Sequence, residues 1–186
     1  AVHERMKFHL NKVSQPNYLF SPRKSRRQRD NALLHIGQKA YLTLDLKQFY
    51  PSTTSKMVKD WFISLGMFED VAGLLTRLLT IDKKVSLGSP ATPVLCSLIH
   101  RDMFDEIAAY CDSLGLRYSV WVDDLTISGD FSLETVLTQI RQIVRQHGLK
   151  SHKIHYHTGE SPVLVTGIGV GKANLSAKNK EHLRLK

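Results

Sequence analysis

Residues 118–129, Tyr-Ser-Val-Trp-Val-Asp-Asp-Leu-Thr-Ile-Ser-Gly, set two adjacent acids between two runs of β-branched and aromatic residues. Runs of that composition read as strands, here Arg117 to Val122 and Leu125 to Ser128, and so short a connection permits only a tight hairpin. Asp123 and Asp124 then form a carboxylate pair at the hairpin tip. Asp is common in turns because its short side chain bonds to nearby backbone. The pair is therefore either turn chemistry or a site, and the rest of the chain must decide.

Tyr41 to Leu46 alternates and is rich in β-favouring residues, so it reads as a buried strand carrying Asp45 near its C-terminal end. A lone buried carboxylate is costly, which requires a cationic side chain or a metal beside Asp45. After Pro51, helical spacing predicts a helix from Lys56 to Leu65, with Met57, Val58, Trp61, Phe62 and Leu65 on one face. A second follows from Glu69 to Leu79, with Val71, Leu74, Leu75, Leu78 and Leu79 as its core stripe. Gly88 and Pro90 keep residues 85–93 from being helical, and this loop feeds a long helix predicted from Thr92 to Tyr110. Ser132 is expected to cap an amphipathic helix that Gly148 ends, and Lys150 to His157 and Val163 to Val170 read as two further strands. Ahead of Asp45, residues 1–22 suggest a short helix and an irregular segment, and Asp30 caps a short helix through His35.

The resulting order, β-α-β-β-α-β, is that of a split ferredoxin-like sheet, in which the first strand lies beside the central hairpin. Asp45 then meets Asp123 and Asp124, and three converging acids repel one another unless a cation sits between them. Hard divalent cations prefer carboxylate oxygens and keep water and substrate phosphates as their other ligands. Two such ions could activate a primer 3′-hydroxyl and stabilise leaving pyrophosphate, with Asp45 and Asp123 as direct ligands and Asp124 as a ligand or a support for one. Tyr50 could set its ring under the incoming sugar and discriminate against a 2′-hydroxyl.

Charge points the same way. Twenty-six Lys and Arg against seventeen Asp and Glu give a net charge of +9, an excess that favours polyanions, most often nucleic acid. Arg23, Lys24, Arg26, Arg27 and Arg29 form a run without an acid, which repels itself unless an anion is near, so phosphate binding is expected there. Cys96 and Cys111 have neither disulfide-framework nor zinc spacing. With no signal pattern and no apolar run of the roughly 18 residues needed to span a bilayer, the reading is a cytoplasmic protein without a membrane partner.

At this point the chain resembles the palm and part of the fingers of a reverse transcriptase, most similar to the bacterial retron type. Residues 44–52, Leu-Asp-Leu-Lys-Gln-Phe-Tyr-Pro-Ser, resemble the first catalytic motif, residues 88–93 the loop that contacts template and nucleotide, and Trp121-Val122-Asp123-Asp124 the Tyr-x-Asp-Asp box. Asn31-Ala32-Leu33-Leu34-His35 and Val165-Thr166-Gly167 resemble two features typical of retron enzymes, the latter near the primer-holding region. The resemblance covers roughly residues 23–170 in the family's order. It implies an α+β fold, a polymerase palm built on a ferredoxin-like antiparallel sheet with packed helices, with partial fingers over 1–40, palm over 41–170 and a basic tail over 171–186 where a thumb would follow.

It implies in addition RNA-directed DNA synthesis with two Mg²⁺ ions, for which Mn²⁺ could substitute, at Asp45, Asp123 and Asp124. Tyr50, Gly88, Ser89 and Lys153 would contact the nucleotide, with Lys153, or His155 in its place, as the acid for pyrophosphate. Thr166 and Gly167, with the basic run, would hold nucleic acid. The implied partners are a structured RNA template, a DNA or RNA primer, dNTPs and an effector protein, in a role against phage. The chain departs from the family at Ser86 and Leu87, where Pro-Gln is usual, and at Trp121, where Tyr is usual. Other readings are a group II intron or non-retron defence enzyme and, from a different class, a polymerase-like RNA-binding module without activity. His155 and His157 are expected to share one strand face, with His152 off it, and no fourth ligand suggests zinc.

Overall fold

The computed structural model describes residues 2–159 and 162–177, so most of the expected basic tail, 178–186, lies outside the described residues. In chain order the elements are helix α1 (Val2–Leu10), strand β1 (Leu19–Ser21), α2 (Gln28–Leu34), β2 (Ala40–Leu46), α3 (Phe49–Ser52), α4 (Ser55–Ser64), α5 (Glu69–Leu79), β3 (Thr80–Ile81), β4 (Lys84–Val85), α6 (Thr92–Ile99), α7 (Arg101–Ser113), β5 (Arg117–Trp121), β6 (Asp124–Gly129), α8 (Glu134–Gln146), β7 (Ser151–Thr158), β8 (Val163–Val165), β9 (Ile168–Val170) and β10 (Leu175–Ala177). They fall into two compact units, each assembled from two stretches of chain: 1–16 with 47–105, and 17–46 with 106–186.

The second unit is built on a five-stranded sheet in the order β1-β5-β6-β2-β7. The expected first strand, β2, lies between the hairpin strand β6 and the late strand β7, antiparallel to both. Its alternation sorts the side chains: Leu42, Leu44 and Leu46 are buried on one face with Leu125, Ile127 and Val120, while Tyr41, Thr43 and Asp45 face the other way. α8 buries Val136, Ile140, Ile143 and Val144, the stripe its spacing predicts, and packs beside β7; its N-cap is Leu133, not Ser132, whose hydroxyl instead accepts from the Tyr156 O–H at 3.2 Å. An edge strand that the sequence did not reveal, β1, runs parallel to β5 in the stretch read as irregular, and Leu19 and Phe20 are buried there.

In the first unit, Thr54 caps α4 by accepting from the Met57 N–H at 3.3 Å, and α5 spans the predicted residues. The stripe expected to face the core on α5 is largely outside: Val71, Leu74 and Leu78 are exposed, whereas Ala72, Thr76 and Leu79 are buried. Small inward residues let α4 and α5 approach closely, and Lys59 on α4 meets Glu69 on α5 at 2.7 Å. The β3–β4 hairpin was unanticipated because its turn is Asp82-Lys83, both at positive φ, a geometry for which Asn-Gly is the usual signature. The long helix predicted from Thr92 is two: α6 closes at His100, whose N–H bonds to the Cys96 and Leu98 carbonyls, and α7 starts afresh. Buried His100 holds Thr53 Oγ1 at 2.9 Å through Nε2 and packs its ring on Phe49.

α2 begins earlier than expected, at Gln28, and Asp30 caps it from the first turn rather than from ahead of it, accepting from the Arg27 N–H at 2.8 Å. The helix lies over the polar face of the sheet. Fully buried His35 bridges two strands, with Nδ1 2.7 Å from Ser128 Oγ and Nε2 2.8 Å from Ser119 Oγ. Arg117 Nη1 donates to the Leu34 and Ile36 carbonyls at 2.8 Å each, closing the helix end. Burial, and secondarily the Arg117 charge, lowers the His35 pKa from 6.5 to about 3.

His35 is therefore neutral in the fold, and between pH 3 and 6.5 the unfolded chain binds the extra proton. Its contribution is complete above pH 6.5 and is lost as pH falls through that window, at up to about 1.4 kcal/mol per pH unit. Urea titrations at pH 7.5 and 5 should show this loss in the wild type and a smaller one in His35→Gln. Equal pH dependence in both proteins would remove His35 as its source.

Candidate active site

The polar face of the sheet is organised in cross-strand rows. Trp121, Asp124, Asp45 and His152 stand opposite one another on β5, β6, β2 and β7; Ser119, Thr126, Thr43 and His155 form the next row, and Arg117, Ser128, Tyr41 and His157 the third. The third row is covered at its centre, where Ser128 is buried and Tyr41 packs in a cluster with Ala32 of α2 and with Val163, Val165 and Val170 of the β8–β9 hairpin, while Arg117 and His157 at its ends are exposed. The first row stays open: Asp124 is exposed and Asp45 keeps 17% of its side-chain surface accessible.

The hairpin turn consists of Val122 and Asp123, so the tip lies one residue earlier than the composition suggests, and Asp124 belongs to β6. Val122 has φ +62°, a conformation that costs a β-branched residue on the order of 1–2 kcal/mol. Such a turn persists only where its surroundings over-determine it. Here the Val122 N–H donates to the Ser21 carbonyl of β1 at 3.0 Å, and the Asp123 carbonyl accepts from the Leu46 N–H of β2 at 2.9 Å. The tip is thus pinned from both sides.

The acids feel one another. Burial first, then the charges of Asp123 and Asp45, raise the Asp124 pKa to about 6, although its side chain reaches solvent. Asp123 is likewise raised by burial and by Asp45. Asp45 is partly neutralised by β7: His152 Nε2 lies 2.5 Å from Oδ1 and Lys153 Nζ 3.4 Å from Oδ2. His152 was missed because β7 carries a bulge between the partners of Thr43 and Asp45, with Lys153 at φ +47°. The extra residue brings His152 onto the face shared by His155 and His157, which a strict count of two excludes. Among the described residues no three His, Cys, Asp or Glu side chains converge to enclose an ion unaided. The donor set nevertheless suits a hard cation, because carboxylates alone, with water and substrate phosphates completing the shell, are what such an ion takes.

The remaining predicted residues fall in both units. Thr166 and Gly167 form the β8–β9 turn, both at positive φ, and Asn31 Nδ2 donates to Thr166 Oγ1 at 3.4 Å, so the two retron-like features touch. In the basic run, Arg26 lies 4.8 Å over the Phe20 ring, Arg27 precedes α2, and Lys24 and Arg29 are exposed, as Arg23 is in part. Tyr50, Gly88 and Ser89 belong to the other unit. Tyr50 is half-buried on α3, Gly88 is exposed, and the buried Ser89 turns its hydroxyl inward to accept from the Ala91 N–H at 3.2 Å. Leu87 beside it is 70% exposed.

A mainly antiparallel sheet with helices packed on it and paired carboxylates at the open end of its polar face is the palm of a polynucleotide polymerase. The family profile described as reverse transcriptase (RNA-dependent DNA polymerase) matches residues 1–170, and the chain belongs to this family. It is 30% identical over 186 residues to the retron Se72 reverse transcriptase of Salmonella heidelberg, covering 93% of this chain and 49% of that protein. It is 28% identical to the retron Ec86 reverse transcriptase of Escherichia coli, covering 95% and 57%. The chain thus spans about half the length of these relatives. Telomerase from Candida albicans, solved with a fragment of telomeric RNA, superposes with a TM-score of 0.68 at 11% identity over 95% of this chain and 38% of that one, which shows the shared fold. Among the described residues no helix is long and apolar enough to cross a membrane.

Because Asp124 is held above its ordinary range, its contribution to stability is lost as pH rises from that range through about 6. In EDTA at pH 7.5, Asp124→Asn should melt at a higher temperature than the wild type, since one charge leaves a repelling cluster. Mg²⁺ should raise the melting temperature of the wild type more than that of the variant. A variant that melts at or below the wild type in EDTA would show that the acids do not repel.

Proposed function

We propose that this chain carries the catalytic centre of an RNA-directed DNA polymerase of the retron type. The carrying observation is the open first row, in which Asp45 and Asp124 face each other across β2 and β6 beside the pinned Asp123. Asp45 and Asp123 hold two Mg²⁺ ions, with Mn²⁺ as a substitute, and Asp124 is a further ligand or steadies one. When bound, the ions activate the primer 3′-hydroxyl and offset charge on the leaving pyrophosphate. The chain's own residues supply position and protons. The pinned turn holds the Asp123 carboxylate in place without reorganisation during the reaction. Between turnovers Lys153 offsets the Asp45 charge and His152 hydrogen-bonds the same carboxylate, and Lys153 is assigned as the acid for pyrophosphate.

Tyr50 is assigned to discrimination against the 2′-hydroxyl, and Gly88 and Ser89 to nucleotide contact, Ser89 through its backbone because its hydroxyl is engaged. Arg23, Lys24, Arg26, Arg27 and Arg29 hold the backbone of a structured RNA template, and the Thr166–Gly167 turn holds a DNA or RNA primer. We assign the palm to the sheet-bearing unit and the fingers to the residues of the other, with 171–186 as a basic tail. The retron names of the relatives support the retron type; with that type we assign a specific RNA, an effector protein and a role in phage defence, and the two buried, unbridged cysteines fit a reducing cytoplasm.

Primer extension on an RNA template with Mg²⁺ tests the reading. Asp123→Ala should lower extension at least about a hundredfold, the loss of several kcal/mol of charge stabilisation. Tyr50→Ala should raise ribonucleotide incorporation relative to deoxyribonucleotide by about tenfold. If neither wild type nor Asp123→Ala extends a primer while both bind structured RNA equally, the chain is an RNA-binding module instead.

A further inference from the structure

We infer that Arg141, Arg145 and Lys150 form a phosphate-binding site at the C-terminal end of α8. The two arginines are four residues apart, on one face of the helix. With Lys150 and Ser151 they line a cavity of about 360 Å³ that no acidic side chain lines. Among the described residues none of these three cations makes an ion pair or hydrogen bond, whereas the nearby His147 is paired with Glu106 at 2.8 Å. Like charges at this spacing disfavour a helix, and a third cation at the same cavity adds to the repulsion. The arrangement is favourable once an anion sits among them.

Completion of the helix end does not account for the three charges. The last carbonyls of α8 are already taken by backbone: Leu149 N–H donates to Val144 O at 3.0 Å, His147 N–H to Ile143 O at 3.1 Å and Gly148 N–H to Arg145 O at 3.0 Å. Two guanidinium forks, an ammonium and a hydroxyl around one cavity match the tetrahedral oxygens of a phosphate, which arginine recognises through paired N–H donors.

The site lies at the end of the sheet that carries the acids. Ser151 stands opposite Leu46 on the apolar face and His152 opposite Asp45 on the polar face, so the cavity and the first row share this end of β7 from opposite faces of the sheet. The ligand chemistry is therefore a phosphate group of either a nucleoside triphosphate with its pyrophosphate product, or an RNA backbone. This meaning rests on the polymerase reading; binding to the cavity does not.

Calorimetry in EDTA with inorganic pyrophosphate, dTTP and a short RNA duplex separates the cases, since none of these measurements requires synthesis. Arg141→Gln with Arg145→Gln should weaken at least one probe tenfold or more, while Arg77→Gln, an exposed arginine of α5, leaves all three unchanged. Loss for pyrophosphate and dTTP assigns the site to nucleotide polyphosphates; loss confined to the duplex assigns it to RNA backbone. Should the double variant lose its circular dichroism signature, Arg141→Lys with Arg145→Lys, which keeps charge without the fork, replaces it and should show weakened binding of at least one probe. Equal affinity of wild type and folded variant for every probe, or no binding by the wild type, overturns the proposal.

Discussion

The pairing of Asp45 with Asp124 across β2 and β6 is the constraint on which the site depends. Its register cannot slip by one residue without turning Asp45 onto the apolar face, among Val120, Leu125 and Ile127, where an unpaired carboxylate would lose its hydration. The leucines of β2 therefore hold the acids in place as firmly as any polar contact does. Repulsion between the carboxylates, visible in the raised pKa values of Asp123 and Asp124, opposes the pairing. Two backbone hydrogen bonds on either side of the turn, from Val122 to β1 and from Leu46 to Asp123, act where that repulsion would otherwise splay the tip.

α2 gives the same face its second anchor. His35 ties β5 to β6 through two serines, and Asn31, one helical turn earlier, reaches the Thr166 turn of the β8–β9 hairpin. One short helix thus fixes both the β5–β6 hairpin, whose turn and second strand carry Asp123 and Asp124, and the turn assigned to the primer. Its bonds are buried and its histidine is neutral, so the coupling is rigid near neutral pH and weakens as the solution becomes acidic.

What was legible in the sequence followed the apolar period. β2, β5, β6, α4, α5 and α8 appear where their spacing places them, because long alternating or helical runs report which face is buried. Resemblance supplied the motifs, and geometry explains why they coexist. What the sequence hid depends on single backbone conformations. β1 is only three residues long, and β3–β4 turns on Asp-Lys instead of Asn-Gly. One extra residue in β7 moves His152 beside Asp45, and the stop at His100 divides an unbroken helical pattern. The α5 stripe misled for another reason: amphipathicity identifies an apolar face, but the small residues on the opposite side decided which face met α4.

The three rows also explain why Asp45 is only partly buried. A wholly covered acid row would shed the water that a hard cation retains, and its carboxylates would protonate instead of binding. A wholly open sheet would leave the rows without the packing that fixes their register. The chain places the transition within three residue pairs: Tyr41 is sealed under α2 and the β8–β9 hairpin, Thr43 and Thr126 present small hydroxyl-bearing side chains, and Asp45 and Asp124 reach solvent. Rigidity is thereby generated at one end of each strand and delivered, through about two residues of backbone, to charged groups at the other. That separation lets carboxylates be held at fixed positions while only partly desolvated by what holds them.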